Sequence, residues 1–405
     1  MLDVLRLAAV FGLILALVRF KWNIGYILLL ASGLLALLYL MPVPAIGQTV
    51  VAALTDAVTW QFLLALTLIR MVEMVLREQQ VLARMMEAAR MYLKNKKAVI
   101  ISMPLLIGML PSLGGAYFSA PMVEEATRGL KVCPEEKSFI NYWFRHVWEP
   151  FLPLYPALVF AAALSGLELR QLMLTNAVYG AVALATGLVL SMRSISGAFK
   201  NPPGGESLPL KKEWHILLNF LPLAAILFAV IVLHQRLEHV LAATVFALFM
   251  FYRVGARDML RTVRYGFSKD VVVLIVGIMI FKFALENSGA VGHISQYCAQ
   301  QQIPLPPLLF VLPFVTGLLT GITMAPVGST FPLLISIAGG VTLADITFAF
   351  ASGYAGVLLS PVHLCLVLTR EYFKADLWRT YRPIIISTTV LMAAAFAQYL
   401  ILRLL

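Results

Sequence analysis

Apolar residues in this chain come in long runs separated by short polar segments. Runs able to cross a bilayer's hydrocarbon, allowing for tilt, occupy about 2–18, 24–41, 58–76, 139–165, 171–192, 214–233, 237–252, 270–286, 346–369 and 383–402. Two further apolar stretches, about 98–121 and 306–338, are broken near their middles by Pro and Gly. Each predicts a re-entrant hairpin that enters and leaves by one face, because broken backbone at membrane depth must be buried in protein or line a cavity. Residues 79–95 place Leu82, Met86, Ala89 and Leu93 on one helical face and Arg84, Glu87, Arg90 and Lys94 elsewhere, as an interfacial helix would. Its counterpart at about 288–303 carries no Lys or Arg, and the Pro/Gly/Ser-rich segment within 193–212 reads as a cytoplasmic linker. The first run has no basic segment before it and no A-x-A site after it, so it reads as a retained span.

Composition sharpens this picture. Of 405 residues, 61% are hydrophobic and 13% charged, against roughly 45–50% and about 25% in a soluble domain. The net charge of +11 resides in short loops, which points away from nucleic acid. With the 19–23 loop placed in the cytoplasm, the segments 19–23, 77–97, 122–138, 193–212, 253–269 and 370–382 become cytoplasmic. They hold 24 of the 31 Lys and Arg, and the opposite face keeps Arg170, Arg236 and Arg403. That asymmetry predicts a multi-pass protein of the inner (plasma) membrane with both termini periplasmic or extracellular. Cys133, Cys298 and Cys365 are too widely spaced in sequence for a disulfide framework or a structural zinc motif, so no metal is expected.

The pattern also repeats. Pro121 and Pro332 are 211 residues apart, as are Pro150 and Pro361, and the order of spans recurs with the same offset. Five crossings per half is an odd number, so the second half is inverted. The expected fold is an all-α polytopic membrane protein with about ten transmembrane helices plus two re-entrant hairpins in an inverted two-fold repeat. The first repeat covers 1–192, divided at 97/98, the linker 193–212, and the second repeat 213–405, divided at 305/306. Such repeats with broken helices at equivalent positions mark secondary transporters, with substrate held near the midplane.

Candidate chemistry lies at the breaks. The first hairpin tip, 111–121, supplies Ser112, Gly114, Gly115 and Ser119, and the second, 320–330, supplies Thr320, Thr323, Ser329 and Thr330. Gly and Pro free backbone groups there, so helix N-termini could hold an anion and carbonyls could hold Na⁺. Small residues also serve close helix packing, the competing reading. The interrupted spans that follow contain Asn141, Arg145, His146 and Glu149-Pro150 in one half and Ser360-Pro361 and His363 in the other. The offset lays Glu149 on Ser360, each just before a proline that disfavours helix. Ionisable groups in apolar spans are costly and face a bundle interior or pathway. Glu149 is the leading proton carrier, with His146 and His363 as further coupling-ion candidates. An Arg145–Glu149 pair along one helix face, and hydrogen-bonded packing of His363, are the structural alternatives. Arg70 with Glu73 and Lys282 with Glu286 read as anchors near span ends. HExxH, GxSxG and Walker patterns are missing, so neither an enzyme nor an ATP-driven pump is expected.

Gly114-Gly-Ala-Tyr-Phe-Ser-Ala-Pro121, paired with Thr320-Gly-Ile-Thr-Met-Ala-Pro-Val-Gly-Ser-Thr330 in a chain of this length, resembles the domain-of-unknown-function 401 family. That family is placed in the ion transporter superfamily, beside citrate, dicarboxylate, gluconate and arsenite carriers. The resemblance implies a homodimeric elevator carrier without a cofactor beyond H⁺ or Na⁺ as coupling ion. Spans in 1–97 and 213–305 would form a scaffold, and 98–192 and 306–405 the moving transport domain. Neither tip carries the Ser-Asn-Thr triplet of the dicarboxylate branch; Ser112, Ser119, Thr323, Ser329 and Thr330 are the nearest hydroxyls. The expected function is therefore secondary active transport of a small organic anion across the lipid bilayer, coupled to H⁺ or Na⁺. The alternatives are an ion channel or lipid-transfer protein using the same midplane cavity, and an intramembrane enzyme resting on His146, Glu149 and His363.

Overall fold

The computed structural model describes residues 2–20, 22–93, 95–111, 115–194, 218–301, 304–338 and 340–404. The predicted linker lies almost wholly outside the described residues, as do Ser112 and Gly114 at the first hairpin tip. The described residues are predominantly helical and form no strand. The helices to Ser194 are α1 (Leu2–Arg19), α2 (Ile24–Leu38), α3 (Val43–Thr55), α4 (Ala57–Glu78), α5 (Val81–Tyr92), α6 (Lys96–Ile107), α7 (Gly115–Ala126), α8 (Pro134–His146), α9 (Pro156–Ser165) and α10 (Leu169–Ser194). After a 3₁₀ turn, Leu218–Phe220, come α11 (Leu221–Ile231), α12 (Leu237–Phe251), α13 (Ala256–Gly266), α14 (Lys269–Asn287) and α15 (Ala290–Gln300). The remainder are α16 (Leu305–Thr320), α17 (Met324–Ile337), α18 (Leu343–Leu358), α19 (Leu364–Phe373) and α20 (Leu377–Leu404).

Among the described residues, α4, α10 and α20 contain stretches long and apolar enough to cross a membrane, and many of the others are shorter apolar helices. These helices suit a membrane-associated protein. The shortening has a local cause. The predicted span 139–165 divides into α8 and α9 around a non-helical stretch at 147–155 that holds Pro150 and Pro153, with Pro156 opening α9. The predicted span 346–369 divides into α18 and α19 around 359–363, at Pro361. Proline lacks the N–H of the helical ladder, and here it marks both breaks.

Two helices lie where loops are expected from the sequence. α3 opens at Pro42 and Pro44, and its Thr49 hydroxyl accepts a hydrogen bond from Asn287 Nδ2 of α14 (3.0 Å). α13 occupies the basic 253–269 segment and buries Thr262 and Gly266; a Cβ on Gly266 would stand 2.7 Å from the Thr67 carbonyl of α4. Its Arg261 pairs with Glu78 at 3.3 Å. The connector helix α5 buries Met86 and Ala89 against Met103 and Ile107 of α6. Leu93, expected on that face, is exposed instead, because the helix ends at Tyr92 and Leu93 turns into extended backbone.

Packing falls into two groups. In one, α14 packs on α2, α3 and α4, and α4 on α12 and α13. In the other, α16 packs on α18, α18 on α20, and α8 on α6, α7, α10, α19 and α20. Glycine sets the closest approaches. Gly25 of α2 faces Gly277 of α14 backbone to backbone, and Gly317 of α16 meets the Gly353 carbonyl of α18. A Cβ on Gly356 would fall on the Phe314 carbonyl, whereas one on Gly33 would meet nothing within 4 Å. Overpacking of this kind costs about 1–3 kcal/mol. Gly356→Ala should therefore lower the thermal unfolding midpoint of the detergent-solubilised protein by several degrees, with Gly33→Ala unchanged or slightly stabilised.

Candidate functional site

The two breaks meet. α8 ends at His146 and α18 at Leu358, and both ends are buried. A helix end leaves carbonyls without intrahelical partners, and burial makes that costly. Here each helix serves the other: Tyr142 of α8 donates to the Leu358 carbonyl (2.9 Å), and Tyr354 of α18 donates to the His146 carbonyl (2.7 Å). Each tyrosine sits one helical turn before the end of its own helix. Within the breaks, Pro150 O accepts from Asn176 Nδ2 (3.0 Å) and Leu359 O from the Tyr381 hydroxyl (3.2 Å). At the end of α6 the Gly108 carbonyl accepts from Tyr155 (2.5 Å), and the Leu105 carbonyl from Trp148 Nε1 (2.8 Å).

The turn between α16 and α17 reaches into this junction. Thr323 donates its hydroxyl proton to Glu149 Oε1 at 2.5 Å. Gly321, at φ 65°, lies so close that a Cβ would stand 2.9 Å from the His363 backbone and 3.0 Å from Ser360 Oγ. Only glycine holds that conformation without strain and permits that approach. Glu149 and His363 are each 6% exposed and Ser360 is fully buried. Glu149 Oε2, Ser360 Oγ and His363 Nδ1 have no hydrogen-bond partner among the described residues. Buried polar atoms are normally paired, so three without a partner around one turn single this junction out as the candidate site. Arg145 is also buried, and its positive charge is felt at Glu149 and His363.

The predicted site residues divide. The fold brings Glu149, Thr323, Ser360 and His363 together, with His146 adjoining: the His146 and His363 rings stand edge to face with centroids 4.7 Å apart. Glu149 lies beyond the end of α8, in the turn, and the partner of its Oε1 is Thr323. Asn141 is buried and tied to the Ala116 carbonyl (3.1 Å) and Thr369 Oγ1 (2.9 Å). Ser119, Ser329 and Thr330 are buried within their helices, their hydroxyls turned back onto carbonyls three or four residues earlier. Thr320 bonds locally to Gly317 O (3.5 Å) and receives the Ile322 N–H (3.4 Å), and Gly115 is buried at the start of α7. Glu73, paired in the sequence reading with Arg70, instead meets Arg77 (3.4 Å) and Tyr265 (3.4 Å), while Arg70 stacks over the Tyr265 ring. Tyr142, Tyr354 and Cys365 belong to the junction and carry no signal in the sequence that singles them out. A separate cleft of about 520 Å³, with Glu168, Arg170 and Glu238 among its walls, contains none of the predicted residues.

Tyr354→Phe would remove one of the two hydrogen bonds to the buried His146 carbonyl, which also accepts from the Glu149 N–H (3.1 Å), a loss of about 0.5–1.5 kcal/mol. Denaturant or thermal unfolding should register that loss, and Tyr26→Phe, on a largely exposed side chain, should be silent.

The sequence model of the family described as "Protein of unknown function (DUF401)" matches residues 4–402, so the chain belongs to that family. No curated protein matches it.

Proposed function

We propose that this member of the DUF401 family is a secondary active transporter of the elevator type, moving a small organic anion coupled to H⁺ or Na⁺. The observation that carries the reading is the meeting at one turn of Glu149, Ser360, His363 and Thr323, drawn from broken helices far apart in sequence. A carboxyl with one oxygen anchored and the other open can take up a proton, and the nearby Arg145 charge and the Ser360 hydroxyl suit an anion. Glu149 is the proton carrier in this scheme. A position between two helix breaks is where transporters of inverted-repeat design hold substrate.

The helix register supports the inverted-repeat part of the proposal. A shift of 211 residues carries each helix start from α2 to α10 to within three residues of the start of its counterpart from α12 to α20. On this reading α6–α7 and α16–α17 are re-entrant hairpins. The group built on α4 and α14 is the scaffold, dimeric across its apolar surface, and the group built on α8 and α18 moves. Both termini face the periplasm or exterior of a cell whose inner membrane holds the protein, as the loop charges favour.

A thermal-shift screen of the purified protein against carboxylates, sugar acids, amino acids and oxyanions, in Na⁺ or K⁺ at mildly acid and alkaline pH, tests the substrate class, since a ligand of the native state raises the midpoint by mass action. The expected result is a shift confined to one anion class. Uptake of that anion into proteoliposomes should be driven by a pH gradient, and Glu149→Gln should reduce the proton-driven component at least tenfold. Uptake driven equally well in Glu149→Gln would remove Glu149 from coupling, and no shift across the panel would remove the organic-anion reading.

A further inference from the structure

One side of the junction gathers donors that the sequence scatters. His363 and Cys365 come from the start of α19 and the residue before it, and His146 from the end of α8. One ligand atom from each lies within 4.8 Å of the other two. Both imidazoles are buried and Cys365 is partly so. His146 Nδ1 stands 2.7 Å from the Tyr142 carbonyl. A carbonyl only accepts, so Nδ1 carries the proton and Nε2 keeps its lone pair. Fixing one ring nitrogen on a backbone carbonyl is how metal-ligating histidines are oriented. His363 Nδ1 is buried without a hydrogen-bond partner among the described residues. The Cys365 Sγ lies within 4.8 Å of a ring nitrogen of each imidazole.

We propose that His146, His363 and Cys365 form a binding site for a zinc-like divalent cation. Two imidazoles and a thiolate are the donors such an ion selects, and three protein ligands leave a fourth position for water or another oxygen ligand. Ligand atoms on a tetrahedral ion with bonds of about 2.0–2.3 Å lie roughly 3.3–3.8 Å apart. The cluster therefore needs to contract by no more than about 1.5 Å, which rotation of the three side chains can supply. On binding, the thiol proton passes to solvent and the thiolate takes its place on the ion. This site shares a wall with the proposed anion site but does not depend on transport, because binding of the ion alone is what the test reads.

The test is titration of the purified, reduced, metal-stripped chain with Co²⁺, followed by displacement with Zn²⁺. One Co²⁺ per chain is expected, with a thiolate-to-cobalt charge-transfer band in the near ultraviolet that Zn²⁺ abolishes. A variant keeping Cys365 as its sole thiol (C133S/C298S) should retain the band. Cys365→Ser should lose it, and His363→Gln should weaken Co²⁺ binding at least tenfold, as loss of a ligand does. Wild-type protein without a stoichiometric thiolate band would overturn the proposal, as would a sole-Cys365 variant that lacks it. Because the sole-thiol variant leaves the cluster intact, the result does not hang on whether a ligand substitution folds. Metal binding without anion uptake would leave this site standing and sink the transport reading; the reverse would do the opposite.

Discussion

The structure around the centre depends on how two buried helix ends satisfy their carbonyls. α8 and α18 both stop inside the protein, where no solvent can take the place of the missing helical N–H groups. The answer is reciprocal: a tyrosine one turn back on each helix caps the end of the other. The geometry then holds the two breaks together, and with them Glu149, Ser360 and His363. The carbonyls of Pro150 and Leu359 follow the same logic, taking side-chain donors from α10 and α20. A buried polar network of this sort specifies one arrangement because any other leaves several groups unpaired.

Around this junction, close contact is made by omitting side chains. Gly317, Gly353 and Gly356 let α16 and α18 touch along their backbones, and Gly321 lets the following turn press against the second break. At the far end α18 is anchored by a charge. Thr342 and Asp345 cap its start, and Arg403, near the end of α20, bonds the almost fully buried Asp345 at 2.7 Å. The broken helix is thus held at its start by an ion pair and at its end by a tyrosine from across the break.

Much of this was legible in the sequence, for reasons that particular residues make plain. Pro150 and Pro361 advertise their breaks, since proline acts on local backbone, and the isolated charge of Glu149 in an apolar run marks it as costly. Apolar periodicity exposes most helices but not α3, with its mixed faces, or α13, whose three arginines read as loop. The hydroxyls of Ser329 and Thr330 looked like ligands, yet in an apolar helix such groups bond back to the preceding turn. What stayed hidden is whatever needs both halves of the chain at once. Neither Thr323 as the partner of Glu149 nor Cys365 as the neighbour of His146 leaves a trace in local pattern.

The reciprocal caps also bear on when the centre can form. Tyr354 lies more than two hundred residues after His146, so the end of α8 has only its local bond from the Glu149 N–H until nearly the whole chain has been made. Contacts of such sequence separation close late and slowly, because loop-closure entropy must be met before they return any stabilisation. Until α18 arrives, the first half lacks the partner that completes this helix end, a state prone to wrong partners. A chain interrupted between its halves would leave a first half that is helical but cannot complete its own centre.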